Sequence, residues 1–431
     1  MTHIRTHRLM PLLLAAAILL PAQYIGAQRA YTLDECTQAA LQNNARMQNA
    51  SNNLSSARLQ RKEALTQYFP TISASGGGFL ADKELMKIDA APGMSMAMMK
   101  NGIVGGISAT MPLFTGGQIV NGNRLAEVNV DKYRQLQRQD ENTVRLTTEQ
   151  YFWQVATLQE KLKTLSLVEK QLAQMEHDAE AAVSAGIANR NDLLQVELRQ
   201  NDTQSSRLTA ENALTLARRL LAQYIGAETD QVDISFSFAD SLPPAPDSLY
   251  RQPREALALT PEYHLLQANL KAEQLQRKIT TGKLLPTIAL GGGYMYDNLT
   301  DRDSPFWMGF ATVSVPLSGW WGGSQQIKRQ KLLVHNAENE LRDQSQLLLL
   351  RMQSTWDALC EAWRQVSIAR RSIAQSQENL RLQSDYYTAG TCSMSDLLEA
   401  QTLYQQSRDK YVDARAQYEI KKREYLQATG R

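Results

Sequence analysis

Apolar side chains recur along most of this chain in alternating steps of four and three. Residues 118 to 184 contain no proline and only one glycine, Gly122, so one helix is expected there. At ~1.5 Å per residue it would run on the order of 100 Å. Within it Tyr151, Val155, Leu158, Leu162 and Leu165 form a seam. After one extra step of three the seam continues through Val168, Leu172, Met175, Ala179 and Ala182, the heptad-type pattern of helices packed side by side. Met352, Trp356, Leu359, Trp363, Val366, Ala369 and Ile373 repeat it later. Helices this much longer than the usual ~11–12 residues need neighbours along their whole length. Shorter helices are expected at 33–68, 191–225, 253–284 and 394–428.

Between Pro70 and Pro112, and again between Pro286 and Pro316, the period changes to two. In an extended segment Ile288, Leu290, Tyr294 and Tyr296 share one face, and Thr287, Ala289, Gly291 and Gly293 share the other. Such an aromatic and aliphatic stripe suits a membrane barrel strand of ~9–11 residues. The return strand at 306–317 is blurred by Phe306, Trp307 and Phe310. In the first pair Ile103, Ile107 and Met111 are interrupted by glycines. Trp320 and Trp321, directly after the fourth strand, fit interfacial anchors or simple packing at the junction.

These elements occur twice. Phe69-Pro70-Thr71-Ile72 returns as Leu285-Pro286-Thr287-Ile288, and Ala185-Gly186 as Ala389-Gly390. Asp192-Leu193-Leu194 likewise returns as Asp396-Leu397-Leu398, and Gly226 as Gly430. A register held over more than a hundred residues is a duplication. The expected division is a first repeat at 28–226, a proline-bearing connector at 227–252 and a second repeat at 253–430. Residues 1–27 read as an export signal: Arg5 and Arg8, then the short apolar run Leu9–Leu20, then Ile25-Gly26-Ala27. Beyond the signal, basic and acidic side chains balance at 44 each, which gives no electrostatic reason to expect nucleic acid as a partner.

Two hairpins supply four strands per chain, whereas closed barrels need about eight or more. An open edge in lipid leaves backbone groups unpaired at several kcal/mol each. Three copies would give twelve strands around a lumen, two copies eight around a filled interior.

Pro112-Leu113-Phe114-Thr115-Gly116-Gly117, the paired Ala-Gly turns followed by Asp-Leu-Leu, and Tyr31-Thr32-Leu33-Asp34-Glu35 resemble the TolC family of outer-membrane efflux proteins. With the twofold repeat, the likeness covers essentially the whole mature chain. It implies a mainly α fold: a helical-hairpin α-barrel joined to a twelve-stranded β-barrel, completed by a homotrimer. It also implies outer-membrane lipid, a periplasmic adaptor and an inner-membrane transporter as partners, with cargo passing from pump to exterior.

The resemblance places the functional centre at the periplasmic tip, with Gly186 and Gly390 in the turns. Asp396 and Glu399 match the acidic rings of the family's aperture, and three residues apart on a helix they share a face. Asp396 equally fits a capping box opened by Ser393, and Asn189 to Asp192 an analogous cap. Tyr387 and Asp192 look like the family's latch between neighbouring coils. Cys392 stands where the family can carry a latch arginine, with Arg190 near in sequence.

Five methionines between Met86 and Met99 fit an outward mobile loop, or contact with a soft metal. His177, His264 and His335 lie on separate helices, so no metal cluster and no cofactor site is expected. No Gly-x-Ser-x-Gly or His-Glu-x-x-His motif occurs, which argues against an enzyme. The alternative to a duct is a periplasmic or surface coiled-coil scaffold whose strands never enter a membrane.

Overall fold

Every position of the seam read from the heptad pattern is buried or half-buried. Val155, Leu165, Val168, Leu172 and Ala179 are enclosed in the first half, Met352, Leu359, Val366 and Ala369 in the second. The computed structural model describes residues 30–83, 85–91, 94–98, 101–236, 242–299, 303–317 and 319–431. The expected export signal lies outside them, as do Met99 and the side chains of 86–98 and Trp320.

The first half runs α1 (Leu33–Asn43), α2 (Ala45–Thr66), β1 (Thr71–Leu80), β2 (Met86–Ala91), β3 (Met94–Met98), β4 (Asn101–Thr115), α3 (Gln118–Ser184) and α4 (Arg190–Ile225). The second runs α5 (Pro253–Leu257), α6 (Pro261–Gly282), β5 (Thr287–Asp297), β6 (Ser304–Ser314), α7 (Gly319–Thr388) and α8 (Met394–Ala428). Helices α3 and α7, of 67 and 70 residues, extend on the order of 100 Å. Each packs along its following helix, and α3 also packs on α2, α6 and α8. No described helix is long and apolar enough to cross a membrane.

Two expected helices are broken. The segment 33–68 divides at Asn44, whose extended backbone (ψ 132°) ends α1 and starts α2. The Asn44 amide donates to the Tyr224 carbonyl at 2.9 Å and Asn43 to the Ile225 carbonyl at 3.3 Å, so the far end of α4 fixes the kink. Segment 253–284 divides at Thr260-Pro261, where Thr260 caps α6 and Pro261 takes its first turn.

The four long strands form one antiparallel sheet in the order β1-β4-β5-β6. Pro112, which has no N–H to give, sits at the bulge where β4 meets β5. Strand register resolves the blurred alternation. Ile72, Ile107, Met111, Leu290, Tyr294, Trp307 and Val313 fall on one face. Thr71, Ser73, Ser75, Ser108, Thr110, Phe306 and Phe310 fall on the other. In the stretch expected as a loop, residues 86–91 and 94–98 instead pair antiparallel as β2 and β3, with Met86 across from Met98.

The connector straps the helices at mid-length. Trp363 Nε1 donates to the Pro243 carbonyl at 3.0 Å, and the Tyr418 hydroxyl to the Pro244 carbonyl at 3.0 Å. Asp233 accepts from Arg218 and Gln159 at 2.9 and 2.7 Å. The alternating run at 233–238 yields, among its described residues, a single bridge between Ile234 and Tyr31.

Candidate functional site

Both long helices stop at a left-handed glycine, Gly186 with φ 75° and Gly390 with φ 71°. The turns close alike. Ile187 N–H reaches back to the Ala182 carbonyl at 3.0 Å, and Thr391 N–H to the Tyr386 carbonyl at 2.9 Å. Beneath them Ala179 and Val196 from one coil pack with Met394 and Leu397 from the other, and Tyr387 leans on this cluster.

Between the two coils lies a cleft of about 1150 Å³. Asp178 and Asp192 line it from the first coil, Arg381, Asp385, Tyr387 and Cys392 from the second. Burial raises the Tyr387 phenol above its usual range, and the nearby Asp192 charge raises it further. No hydrogen bond joins the two among the described residues, but Asp192 is the first acid acting on that hydroxyl. Arg381 is held by Glu378 at 2.7 Å and Asp385 at 2.8 Å, on its own helix.

Asp396 and Glu399 lie outside the cleft, exposed on α8. Asp396 completes a full capping box: it accepts from the Ser393 backbone at 3.0 Å and hydroxyl at 2.6 Å, and its own N–H returns to Ser393 Oγ at 3.2 Å. Those bonds lower its pKa. The analogous cap at Asn189 is not made: α4 starts without a side-chain cap bond, which leaves the Asp192 carboxylate to the cleft. Arg190 is exposed and does not line the cleft. The Cys392 thiol donates to the Gln383 carbonyl at 3.4 Å, so no cationic latch stands at that position.

Asp178, Arg381 and Asp385 are the charged cleft residues that sequence reasoning missed. The spacing of Glu378, Arg381 and Asp385 carried an ion-pair signal, but only the pairing of coils places it opposite Asp178. At the other end of α7, Trp321 is 79% exposed beside the sheet. No group of three or more potential metal-ligating side chains occurs among the described residues.

A model of the family described as outer membrane efflux protein matches residues 36–227 and 253–431. Among solved structures, CusC, reported in work on transmembrane channel formation, is 16% identical with a TM-score of 0.80, over 93% of this chain and 92% of that one. The Campylobacter jejuni CmeC outer membrane channel is 15% identical with a TM-score of 0.77, over 92% and 85%. The open Neisseria gonorrhoeae MtrE outer membrane channel is 16% identical with a TM-score of 0.76, over 92% and 88%. At these identities the likeness shows the fold. No curated protein matches the chain. The two matched segments flank the connector and span both coils and all four long strands. The chain therefore belongs to the outer membrane efflux protein family, the channels that sit in the outer membrane and extend into the periplasm.

Proposed function

We propose that three copies of this chain close a twelve-stranded barrel in outer-membrane lipid and a helical tube beneath it. A periplasmic adaptor and an inner-membrane transporter feed cargo into the tube. The halves 28–226 and 253–430, joined by the 227–252 connector, each contribute one long-stranded hairpin and one coil. The duct is passive: it carries no catalytic step and no cofactor, and the pump selects the cargo. At the tip, Gly186 and Gly390 turn the coils, Tyr387 and Asp192 act as the latch, and Asp396 with Glu399 rings the aperture. Trp320 and Trp321 anchor the barrel at the lipid interface.

One observation carries this reading. Strands β1 and β6 are the outer strands of an open sheet, and one face of that sheet is apolar along all four strands. In lipid those edges must pair, and only other copies of the chain offer matching strands. Oligomer mass of detergent-extracted protein tests it. A trimer that survives mild detergent and dissociates on heating is expected. Full solubility as a monomer without detergent overturns the duct in favour of the scaffold.

A further inference from the structure

The face of the sheet turned away from lipid divides into two unlike halves. On β1 and β4 it carries Thr71, Ser73, Ser75, Ser108 and Thr110, with Phe79 and Val104 only at the outward end, and Ser73 Oγ lies 3.2 Å from Ser108 Oγ. On β6 it carries Phe306, Met308 and Phe310, set across from Met295, Gly293 and Gly291 of β5. These three side chains are 43%, 45% and 37% exposed. Closing the barrel brings a neighbour's β1 alongside, and that strand offers mostly small or hydroxylated side chains on this face. The row therefore remains bare in the lumen.

Its geometry keeps the bore open. The Phe310 ring lies over Gly291, where an added methyl would overlap it. Met295 leans over Gly106 in the same manner, its sulfur 2.6 Å from where a Cβ would stand. Glycines on the next strand thus let bulky side chains lie along the wall instead of projecting into the channel. At the outward end of the same face, Asp297 pairs across from Ser304. It is the only charged side chain in the four long strands.

We infer that this row is a weak binding site for a flat aromatic cation in transit. Phe306, Met308 and Phe310 supply the apolar contact and Asp297 the charge. An exposed apolar strip in a watery lumen gains by covering a planar ring, aromatic rings attract a cation, and one carboxylate with no cation beside it in the sheet selects that sign. The site rests on the duct reading, since only a closed barrel makes this face a lumen.

The test is block of ion current through the full-length protein in planar bilayers, with N-methylacridinium, a planar aromatic cation, added on the hairpin side. Met308→Ser with Phe310→Ser should raise the half-blocking concentration about tenfold while potassium chloride conductance holds. Phe310→Leu, which keeps the contact area but removes the ring, should raise it about threefold, as should Asp297→Asn. Heat-dissociable trimers confirm that each variant has folded. Equal half-blocking concentrations in wild type and all variants overturn the site, as does a conducting wild type that the probe does not block. A chain that forms no conducting pore overturns the duct itself, and this site with it.

Discussion

Asp192 and Asp396 hold equivalent positions in the two repeats, yet only Asp396 caps its helix. Its carboxylate is bonded to Ser393, whereas Asp192 faces the cleft and acts on the Tyr387 phenol. The first coil thus has a free carboxylate and the second a half-buried hydroxyl across a gap. A small approach of the coils would join them in a charge-assisted hydrogen bond, worth about 1.5–3 kcal/mol. Tyr387→Phe should therefore shift the tip toward open by about tenfold or more. Single-channel recording checks this: wild-type closed-level conductance in the variant would sink the latch.

The cap asymmetry has its own consequence. Ser393→Ala should loosen the first turn of α8 by about 1 kcal/mol, the usual loss for a removed N-cap hydroxyl. Asn189→Ala should leave α4 nearly unchanged, because no side-chain cap bond is made there. Amide hydrogen exchange at residues 393–397 and 189–193 separates the two. Equal protection changes at both turns would contradict the assignment.

Outside the cleft, Glu399 is exposed one turn beyond Asp396, whose bonds to Ser393 keep it ionised at neutral pH. Glu399→Gln with Asp396→Asn should weaken block of the channel by a multivalent cation several-fold, since a ring of carboxylates attracts such ions strongly. Undiminished block in planar bilayers would remove both acids from the aperture.

Much of this was legible in the residues, and what was not has a physical reason. Helix α3 could be bounded because Gly116-Gly117 and Gly186 flank a run with no proline and one glycine. The break at Asn44 could not, because the groups that fix it, the carbonyls of Tyr224 and Ile225, lie 180 and 182 residues along the chain from the amides that reach them. Strand β6 looked irregular because both of its faces carry large apolar groups, and only pairing with β5 shows that Phe310 needs Gly291 beneath it. At the tip, Asp192 was readable as a cap or as a latch residue. Local sequence could not decide, since Asp178 and Tyr387 reach it only through tertiary packing.

Mid-helix acidity offers a pH signature. Burial pushes the Glu149 carboxyl up to about 7 from 4.5, against the pull of Arg423 at 3.8 Å. Its folded pKa exceeds the unfolded one, so the folded chain holds the proton more tightly. Stability from this group is complete below about 4.5 and falls as pH rises to about 7. Glu149→Gln should flatten that decline, a slope on the order of 1 kcal/mol per pH unit. Thermal dissociation midpoints of both proteins from pH 4 to 8 (a range of about 4 units) give the comparison. Parallel curves would show that Glu149 does not titrate in that window.

The joint between barrel and tube should be the least forgiving place in the chain. Gly116, with φ 61°, packs so closely on Gly282 at the end of α6 that a methyl on either would overlap the other's carbonyl oxygen. Gln118 also donates to the Gly282 carbonyl at 3.4 Å, tying the start of α3 to the same spot. Gly390 has a similar φ of 71° but open space around it. Gly390→Ala therefore adds only left-handed strain, about 1–2 kcal/mol, and should leave assembly intact. Gly116→Ala adds a steric overlap with rigid backbone to the same strain, so trimer yield should collapse. Heat-dissociation temperatures and trimer yields measured side by side decide the matter. An equally small loss in both variants would show that the joint yields without strain.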